Sequence, residues 1–140
     1  MSTRVEEARK RHEKGYNCAQ AVACTYCDLA GISEDEMFRI TEGYGLGMGC
    51  MQGVCGAVSG AIALAGAKNS IGCDNTMTKK ATYQLSAEIL DRFQKKNGSF
   101  ICKELKGVDT GKVLRSCPGC IQDAAELAEE ILFKTELADE

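Results

Sequence analysis

Apolar residues recur along the chain at intervals typical of helices, and no segment shows the alternation of a half-buried strand. Residues suited to a helix extend from Val5 to Leu29 with one interruption at Gly15. Asn17 is placed to cap a second segment that begins at Cys18. The first part of the chain is therefore predicted to be helical.

Two further helices have recognisable start signals. Ser33 followed by Glu36 forms the pattern of a capping box, which predicts a short helix that reaches Ile40. Asp74 or Asn75 can cap a longer helix that stops at Asn97 and Gly98. Its apolar positions keep a spacing of four, which predicts a face that packs on the rest of the protein; they are Met77, Ala81, Leu85, Ile89 and Phe93.

The segment from 43 to 67 contains no charged residue and has a glycine-rich first half. Its eight glycines and interspersed polar residues argue against a membrane-spanning helix. The composition instead predicts a central helix that is buried on nearly all sides. Small residues recur along it at a spacing of four, with Gly49 and Gly53 on one track and Gly56 and Gly60 on another. Such tracks let neighbouring backbones approach closely.

A strong amphipathic pattern predicts the last helix, from Ile121 to about Glu136. Apolar side chains line one side and carboxylates line the other, so the pattern places Asp123 toward solvent with the glutamates. The predicted fold class is all-α, in one domain over residues 1–140. We expect a compact bundle of about five helices around the glycine-rich buried central helix.

Composition and charge narrow the function. A chain of 140 residues with a net charge of −3 can fold as one domain without disulfides. Basic residues are scattered among acidic ones, which argues against a nucleic-acid-binding surface. The charged N-terminal segment lacks the apolar stretch of a signal peptide, so we expect a cytoplasmic protein with no membrane association. The small-residue tracks would suit a homodimer as well as a monomer core.

Cysteine is the most unusual feature of the composition, with nine thiols against a single histidine. An odd count rules out complete pairing in disulfides within one chain, and in a reducing compartment a cysteine-rich chain more often binds metal or exchanges electrons. A single histidine also excludes a zinc finger with two histidine ligands. The thiols belong to Cys18, Cys24, Cys27, Cys50, Cys55, Cys73, Cys102, Cys117 and Cys120.

Several of these cysteines stand at predicted helix starts, where free backbone N–H groups and the helix dipole favour a thiolate. Cys18 follows Asn17, Cys55 lies near the glycine-rich end of the central helix, and Cys117 and Cys120 precede the last helix as CPGC. A CxxC at a helix start occurs both in dithiol oxidoreductases and in metal-binding knuckles. Either chemistry is therefore open at this motif.

The other cysteines are more simply interpreted as packing residues. Cys24 and Cys27 share one face of a predicted helix, and buried thiols behave as small hydrophobic groups. For Cys50 and Cys73 packing and chemistry are equally good interpretations. His12 lies in a strongly charged helix, which predicts a solvated side chain.

Four segments in order resemble the C_GCAxxG_C_C family of redox-active proteins: GYNCAQAV, GMGCMQGVCGAVSGAIALAG, CKEL and CPGCIQDAAELAEEIL. The resemblance extends from about Tyr16 to Leu132. It implies a small redox protein, and an iron–sulfur cluster is attributed to some members. The family's recurring positions fall here on Cys18, Cys55, Cys102, Cys117, Gly56 and Gly60. Cys50 and Cys120 stand where most members have no thiol.

Three hypotheses follow for the function, and none identifies the redox partner protein or decides whether the chain is an enzyme. The first is electron transfer or redox sensing through an iron–sulfur cluster, most simply [2Fe-2S], beside Gly56. Its ligands would be Cys18, Cys55, Cys102 and Cys117. The second is a metal-free dithiol protein with Cys117 and Cys120 as catalytic thiols and Cys102 or Cys55 as the resolving partner. The third is a structural zinc site with four thiolate ligands.

Overall fold

The computed structural model describes residues 2–138, and within this range the protein is helical, as predicted. Met1, Asp139 and Glu140 lie outside it. Extended backbone pairs in the described range at an isolated antiparallel bridge between Val54 and Ile101. None of the helices in residues 2–138 combines the length and the apolar character that crossing a membrane requires.

Most of the predicted helix starts are present. Asn17 accepts a hydrogen bond from the Gln20 backbone N–H, and the Gln20 side chain accepts one from the Asn17 N–H, which completes a capping box. Ser33 accepts from the Glu36 N–H in the same way. In chain order the helices are α1 (Thr3–Glu13), α2 (Cys18–Tyr26), α3 (Glu34–Thr41), α4 (Gly45–Met48), α5 (Gly56–Asn69), α6 (Lys79–Asn97), α7 (Cys102–Lys106), α8 (Cys117–Ile131) and α9 (Lys134–Leu137).

The glycine-rich segment does not form one long central helix. Its regular part is α5, whereas residues before Cys55 form the short turn α4 and an irregular loop. Leu46, Met48 and Met51 adopt positive φ angles of 55°, 63° and 65° in this region. Side chains with a Cβ disfavour that conformation, so contacts with the surrounding structure must hold the loop. Because glycine has a low helix propensity, the apolar composition of the segment was not enough to make its first half helical.

The second small-residue track does mediate close packing. A Cβ at Gly60 would lie 2.5 Å from the carbonyl oxygen of Ala19, and one at Gly56 would lie 3.3 Å from the Ala19 nitrogen. The absence of side chains at these glycines therefore lets α5 lie directly against the start of α2. This contact brings Cys18, the first residue of α2, close to the beginning of α5.

Two predicted faces need correction. Along α6 only the second half is covered: Ile89 and Phe93 are fully buried, whereas Met77, which precedes the helix, is 80% exposed. The last helix begins at Cys117 rather than Ile121, because Ser116 accepts a hydrogen bond from the Gly119 N–H and caps it. On that helix Asp123 is 1% exposed instead of facing solvent, since it lies among basic side chains.

Candidate functional site: a cavity lined by five thiols

Five of the nine cysteines line one cavity of about 220 Å³. They include every thiol of the predicted cluster-ligand set and both thiols of the CPGC motif, and Gly56 lies in the same wall. No other cysteine lines this cavity. The five, called the cavity thiols below, are Cys18, Cys55, Cys102, Cys117 and Cys120.

Helix starts bring these cysteines together from distant parts of the sequence. Cys18, Cys102 and Cys117 are the first residues of α2, α7 and α8, and Cys55 is the N-cap of α5. Cys120 lies one turn into α8. Helix starts carry free N–H groups and a partial positive charge, so they favour thiolates at this cavity. The prediction that Cys18, Cys55 and Cys117 stand at helix starts is confirmed, and Cys102, for which no helix was predicted, also begins one.

Backbone hydrogen bonds fasten two of the cavity walls to each other. The Cys55 N–H donates to the carbonyl of Phe100 over 2.7 Å, and the Cys102 N–H donates to the carbonyl of Gly53 over 3.0 Å. These bonds flank the bridge between Val54 and Ile101. The start of α5 and the start of α7 are thus held side by side.

Cys18 and Cys117 form the first thiol pair of the cavity. A hydrogen bond from Cys18, supported by the smaller effects of nearby Lys106 and His12, lowers the pKa of Cys117 to about 6 against the opposing effect of burial. The same hydrogen bond, with burial, raises the pKa of Cys18. At neutral pH the pair therefore consists of a Cys117 thiolate and a neutral Cys18 thiol that donates to it.

Cys55 and Cys120 form the second pair, with the same asymmetry. A hydrogen bond from Cys120 lowers the pKa of Cys55, burial opposes the shift, and the backbone N–H groups of Val58 and Ala57 support it. The hydrogen bond to Cys55 and burial raise the pKa of Cys120. Each cysteine of the CPGC motif is thus paired with a thiol from another helix, and the Cys120 Sγ also lies 3.9 Å from the carbonyl oxygen of Arg115.

Cys102 lines the cavity outside these two pairs. Its side chain packs on the backbone of Gly47, where an added Cβ would lie 2.4 Å from the Cys102 Cβ and 3.2 Å from its sulfur. Burial raises the pKa of Cys102, and Lys106 partly offsets that shift. The short turn α4, which contains Gly47, therefore fixes the position of this fifth thiol.

The charged groups that line the cavity are basic. His12, Lys106 and Arg115 are in its wall, and among residues 2–138 no carboxylate lines it. Arg115 is held in a salt bridge by the buried carboxylate of Asp123, with distances of 3.1 and 3.2 Å. Its guanidinium packs over Gly119, where a Cβ would come within 2.5 Å of the Arg115 Nε. Asp123 thereby holds the Arg115 side chain against Gly119 in the first turn of α8.

Lys106 differs from Arg115 because it forms no salt bridge with any residue in 2–138. Its charge acts on three of the cavity thiols, Cys18, Cys102 and Cys117, by favouring their thiolates. Sequence reasoning missed it. Lys106 follows Cys102 at a spacing of four, which puts both side chains on one face once a helix is recognised there.

The burial of the remaining cysteines and of His12 agrees only in part with the prediction. Cys24 and Cys27 are buried, as expected of packing residues, and burial raises the pKa of Cys24 to about 12. Cys50 and Cys73 are exposed, so the packing interpretation is wrong for both. His12 is half-buried in the cavity wall rather than solvated, because α1 runs past the start of α2.

The cavity thiols have the donor chemistry that an iron–sulfur cluster needs, since such clusters are bound by thiolates. Within residues 2–138 no group of three or more His, Cys, Asp or Glu side chains is arranged to hold a single metal ion. Four of the five thiols associate in two pairs, and Cys102 lies outside them.

Comparison with known families gives a match over residues 16–131, which include all five cavity thiols. The matching model is described as "Putative redox-active protein (C_GCAxxG_C_C)". Comparisons with curated proteins and with solved structures give no match. The match covers most of the chain and contains the cavity, so the protein belongs to the C_GCAxxG_C_C family of redox-active proteins.

Proposed function

We propose that this protein is a thiol–disulfide redox protein in which Cys117 is the attacking thiolate and Cys18 is its resolving partner. The observation that supports it best is that Cys18 and Cys117, the first residues of α2 and α8, line the same open cavity, where Cys18 lowers the pKa of Cys117. Cys117 is half-buried and begins α8, so a substrate can reach its sulfur while the helix start favours the thiolate. A neutral thiol beside a thiolate is the arrangement that a dithiol couple needs before it reacts.

The reaction takes place in two exchanges. The Cys117 thiolate attacks one sulfur of a disulfide substrate; a Cys117–substrate bond forms, the substrate S–S bond breaks, and one thiolate leaves. Cys18 then loses its proton to solvent, and its sulfur attacks the Cys117 sulfur. The Cys18–Cys117 disulfide forms and the second substrate thiolate leaves. The protein has lost two electrons, and the disulfide substrate has gained them.

The pairing makes Cys18, rather than Cys120, the partner of Cys117. Cys120 is engaged with Cys55, which gives the cavity a second potential couple. The CPGC motif would then contribute one residue to each couple instead of forming a disulfide by itself.

A trapping experiment tests this assignment. The pre-reduced protein is mixed with a small disulfide, and the products are identified by peptide mass spectrometry. We expect Cys18→Ser to accumulate the mixed disulfide at Cys117, because the second exchange is blocked, and the matched variant Cys120→Ser to complete the reaction. Accumulation in Cys120→Ser but not in Cys18→Ser would instead show that CPGC is the reacting pair.

A second candidate function is electron transfer through an iron–sulfur cluster in the same cavity. The observation in its favour is the number of thiols: two suffice for exchange, whereas five line this wall, including the family set Cys18, Cys55, Cys102 and Cys117. Cys18, Cys55 and Cys117 would each supply a sulfur, and Cys102 or Cys120 would supply the fourth. When bound, the cluster would provide one-electron chemistry, and the basic cavity wall would offset the negative charge of the thiolates.

Metal analysis separates the two candidates. Protein purified without oxygen from a cluster-competent host is analysed for iron, acid-labile sulfide and visible absorption. The cluster hypothesis expects iron and sulfide in equal amounts, lost in Cys55→Ser but retained in the exposed-site control Cys73→Ser. A colourless, iron-free protein that forms the Cys18–Cys117 disulfide would favour exchange chemistry. No specific observation favours the zinc alternative.

A further inference from the structure

The charge around the cavity thiols contrasts with the charge of the whole chain. The protein has a net charge of −3, yet the residues of basic type that 2–138 contribute to the cavity wall are His12, Lys106 and Arg115, with no carboxylate from that range beside them. Arg115 is held by the carboxylate of Asp123, which it shares with Lys96. Lys106 has no such partner in residues 2–138, and its side chain is exposed at the cavity wall.

An unpaired ammonium beside reactive thiols has two possible effects. It favours the thiolate form, because its charge acts to lower the pKa values of Cys18, Cys102 and Cys117. It also attracts any negatively charged molecule that approaches them, and a concave site strengthens that attraction. The cavity holds about 220 Å³ of space, and Leu46 and Leu105 add apolar surface to its wall. These dimensions suit part of a small molecule rather than a flat protein surface.

We propose that the cavity selects a small anionic disulfide as its substrate, with Lys106 as the recognition residue. The inference rests on the proposed thiol–disulfide function and names its substrate class. Lys106 would hold a carboxylate of the substrate while the Cys117 thiolate attacks the adjacent S–S bond. The electron balance is that of the exchange above: two electrons pass from Cys18 and Cys117 to the substrate, which leaves as two thiols.

The test compares two small disulfides of opposite charge, dianionic 5,5′-dithiobis(2-nitrobenzoate) and dicationic cystamine. A protein with Cys50→Ser and Cys73→Ser serves as background, because these exposed thiols lie outside the cavity. Acid-quenched samples give the rate of Cys117 modification for each probe by peptide mass spectrometry. We expect the anionic probe to react faster than its intrinsic reactivity with a free thiol predicts, and the cationic probe to react more slowly.

The Lys106→Gln variant then separates recognition from thiolate stabilisation. Loss of the ammonium weakens the Cys117 thiolate for both probes alike, so that effect cancels in the ratio of the two rates. Loss of recognition lowers the ratio of the anionic to the cationic rate. We expect a change of about tenfold, because one probe carries two negative charges and the other two positive charges near the lysine. The matched control is Lys103→Gln on the same helix, whose lysine is paired with Asp109 outside the cavity. The control should keep the wild-type ratio.

The outcomes are distinct. A ratio that falls in Lys106→Gln, stays constant in Lys103→Gln and shrinks with added salt supports anionic selection. Equal ratios in wild type and Lys106→Gln, with Cys117 still modified and the Cys18–Cys117 disulfide still formed, would overturn the inference and leave the proposed function standing. No reaction at Cys117 with either probe would remove the proposed function itself.

Discussion

Cys18 and Cys117 lie far apart in the sequence, yet they form a hydrogen-bonded thiol pair at the meeting point of two helix starts. The pair forms because the glycines of α5 let this helix pack closely against α2. Ser116 caps α8, so that the helix begins at Cys117. The result is a low-pKa thiolate beside its own proton donor. Packing and capping, rather than the CPGC spacing, thus determine which thiols lie side by side.

Removing the donor should weaken the Cys117 thiolate. In Cys18→Ala we expect the pKa of Cys117 to rise from about 6, because its hydrogen bond is lost while Lys106 and His12 remain. A rise of about two units would cut the thiolate fraction at pH 7 by roughly tenfold. The pH dependence of iodoacetamide alkylation at Cys117, followed by mass spectrometry, measures the midpoint, above which the thiolate predominates.

Cys18→Ser is the matched control for that experiment. Serine retains an O–H donor, so the midpoint should lie between those of the wild type and Cys18→Ala. Identical midpoints in all three proteins would show that the neighbouring side chain does not stabilise the thiolate.

Close contact between α2 and α5 should make Gly60 intolerant of a side chain. In Gly60→Ala the new Cβ would meet the Ala19 carbonyl at 2.5 Å, so the two helices must separate. We expect a loss of about 1–3 kcal/mol in the free energy of unfolding, measured by urea denaturation. Gly66→Ala is the control on the same helix, because nothing lies within 4 Å of its added Cβ.

Gly66→Ala should instead raise stability slightly, since alanine favours a helix by up to about 1 kcal/mol over glycine. Equal stability changes in the two variants would argue against the close helix contact that positions Cys18.

The buried carboxylate of Asp123 should couple stability to pH. Burial raises the pKa of Asp123, but hydrogen bonds from Lys96, Arg115 and Asn97 outweigh it and keep the pKa below its usual range. Because the pKa is lower in the folded than in the unfolded state, the carboxylate stabilises the protein above about pH 4, and this contribution is lost as the pH falls through the folded-state pKa.

Asp123→Asn should therefore lower the free energy of unfolding by about 2 kcal/mol at pH 7 and flatten its decline in acid. Urea denaturation from pH 7 down to pH 3 measures both effects. Glu126→Gln, on the same helix, is the comparison. A parallel acid decline in wild type and Asp123→Asn would contradict the role assigned to this carboxylate.

The helical fold and most helix starts follow from local signals, because caps such as Asn17 and Ser33 act within a few residues. The set of cavity cysteines was also predictable, from helix-start chemistry and family resemblance together. Their pairing was not, since contacts such as Cys18 with Cys117 depend on how α2, α5 and α8 pack. The burial of Asp123 escaped prediction for the same reason: its basic partners come from other segments.

Accessibility should separate the nine thiols into kinetic classes. We expect Cys50 and Cys73 to be alkylated first in the folded protein, because both are exposed. Cys24 and Cys27 should react only on unfolding, since both are buried and burial raises the pKa of each. Time-resolved alkylation with peptide mapping measures the order, and early modification of Cys24 would contradict its place in the core.

The pairing of Cys18 with Cys117 is tested most directly by mapping the disulfides that form when the reduced protein is treated with one equivalent of a small disulfide oxidant. Non-reducing peptide mass spectrometry identifies the linked cysteines. The protein carries Cys50→Ser and Cys73→Ser, so that the exposed thiols do not take part in exchange. Because Cys18 is the partner of Cys117, we expect a Cys18–Cys117 disulfide as the first product. A Cys117–Cys120 disulfide as the first product, or no disulfide at Cys117, would contradict it.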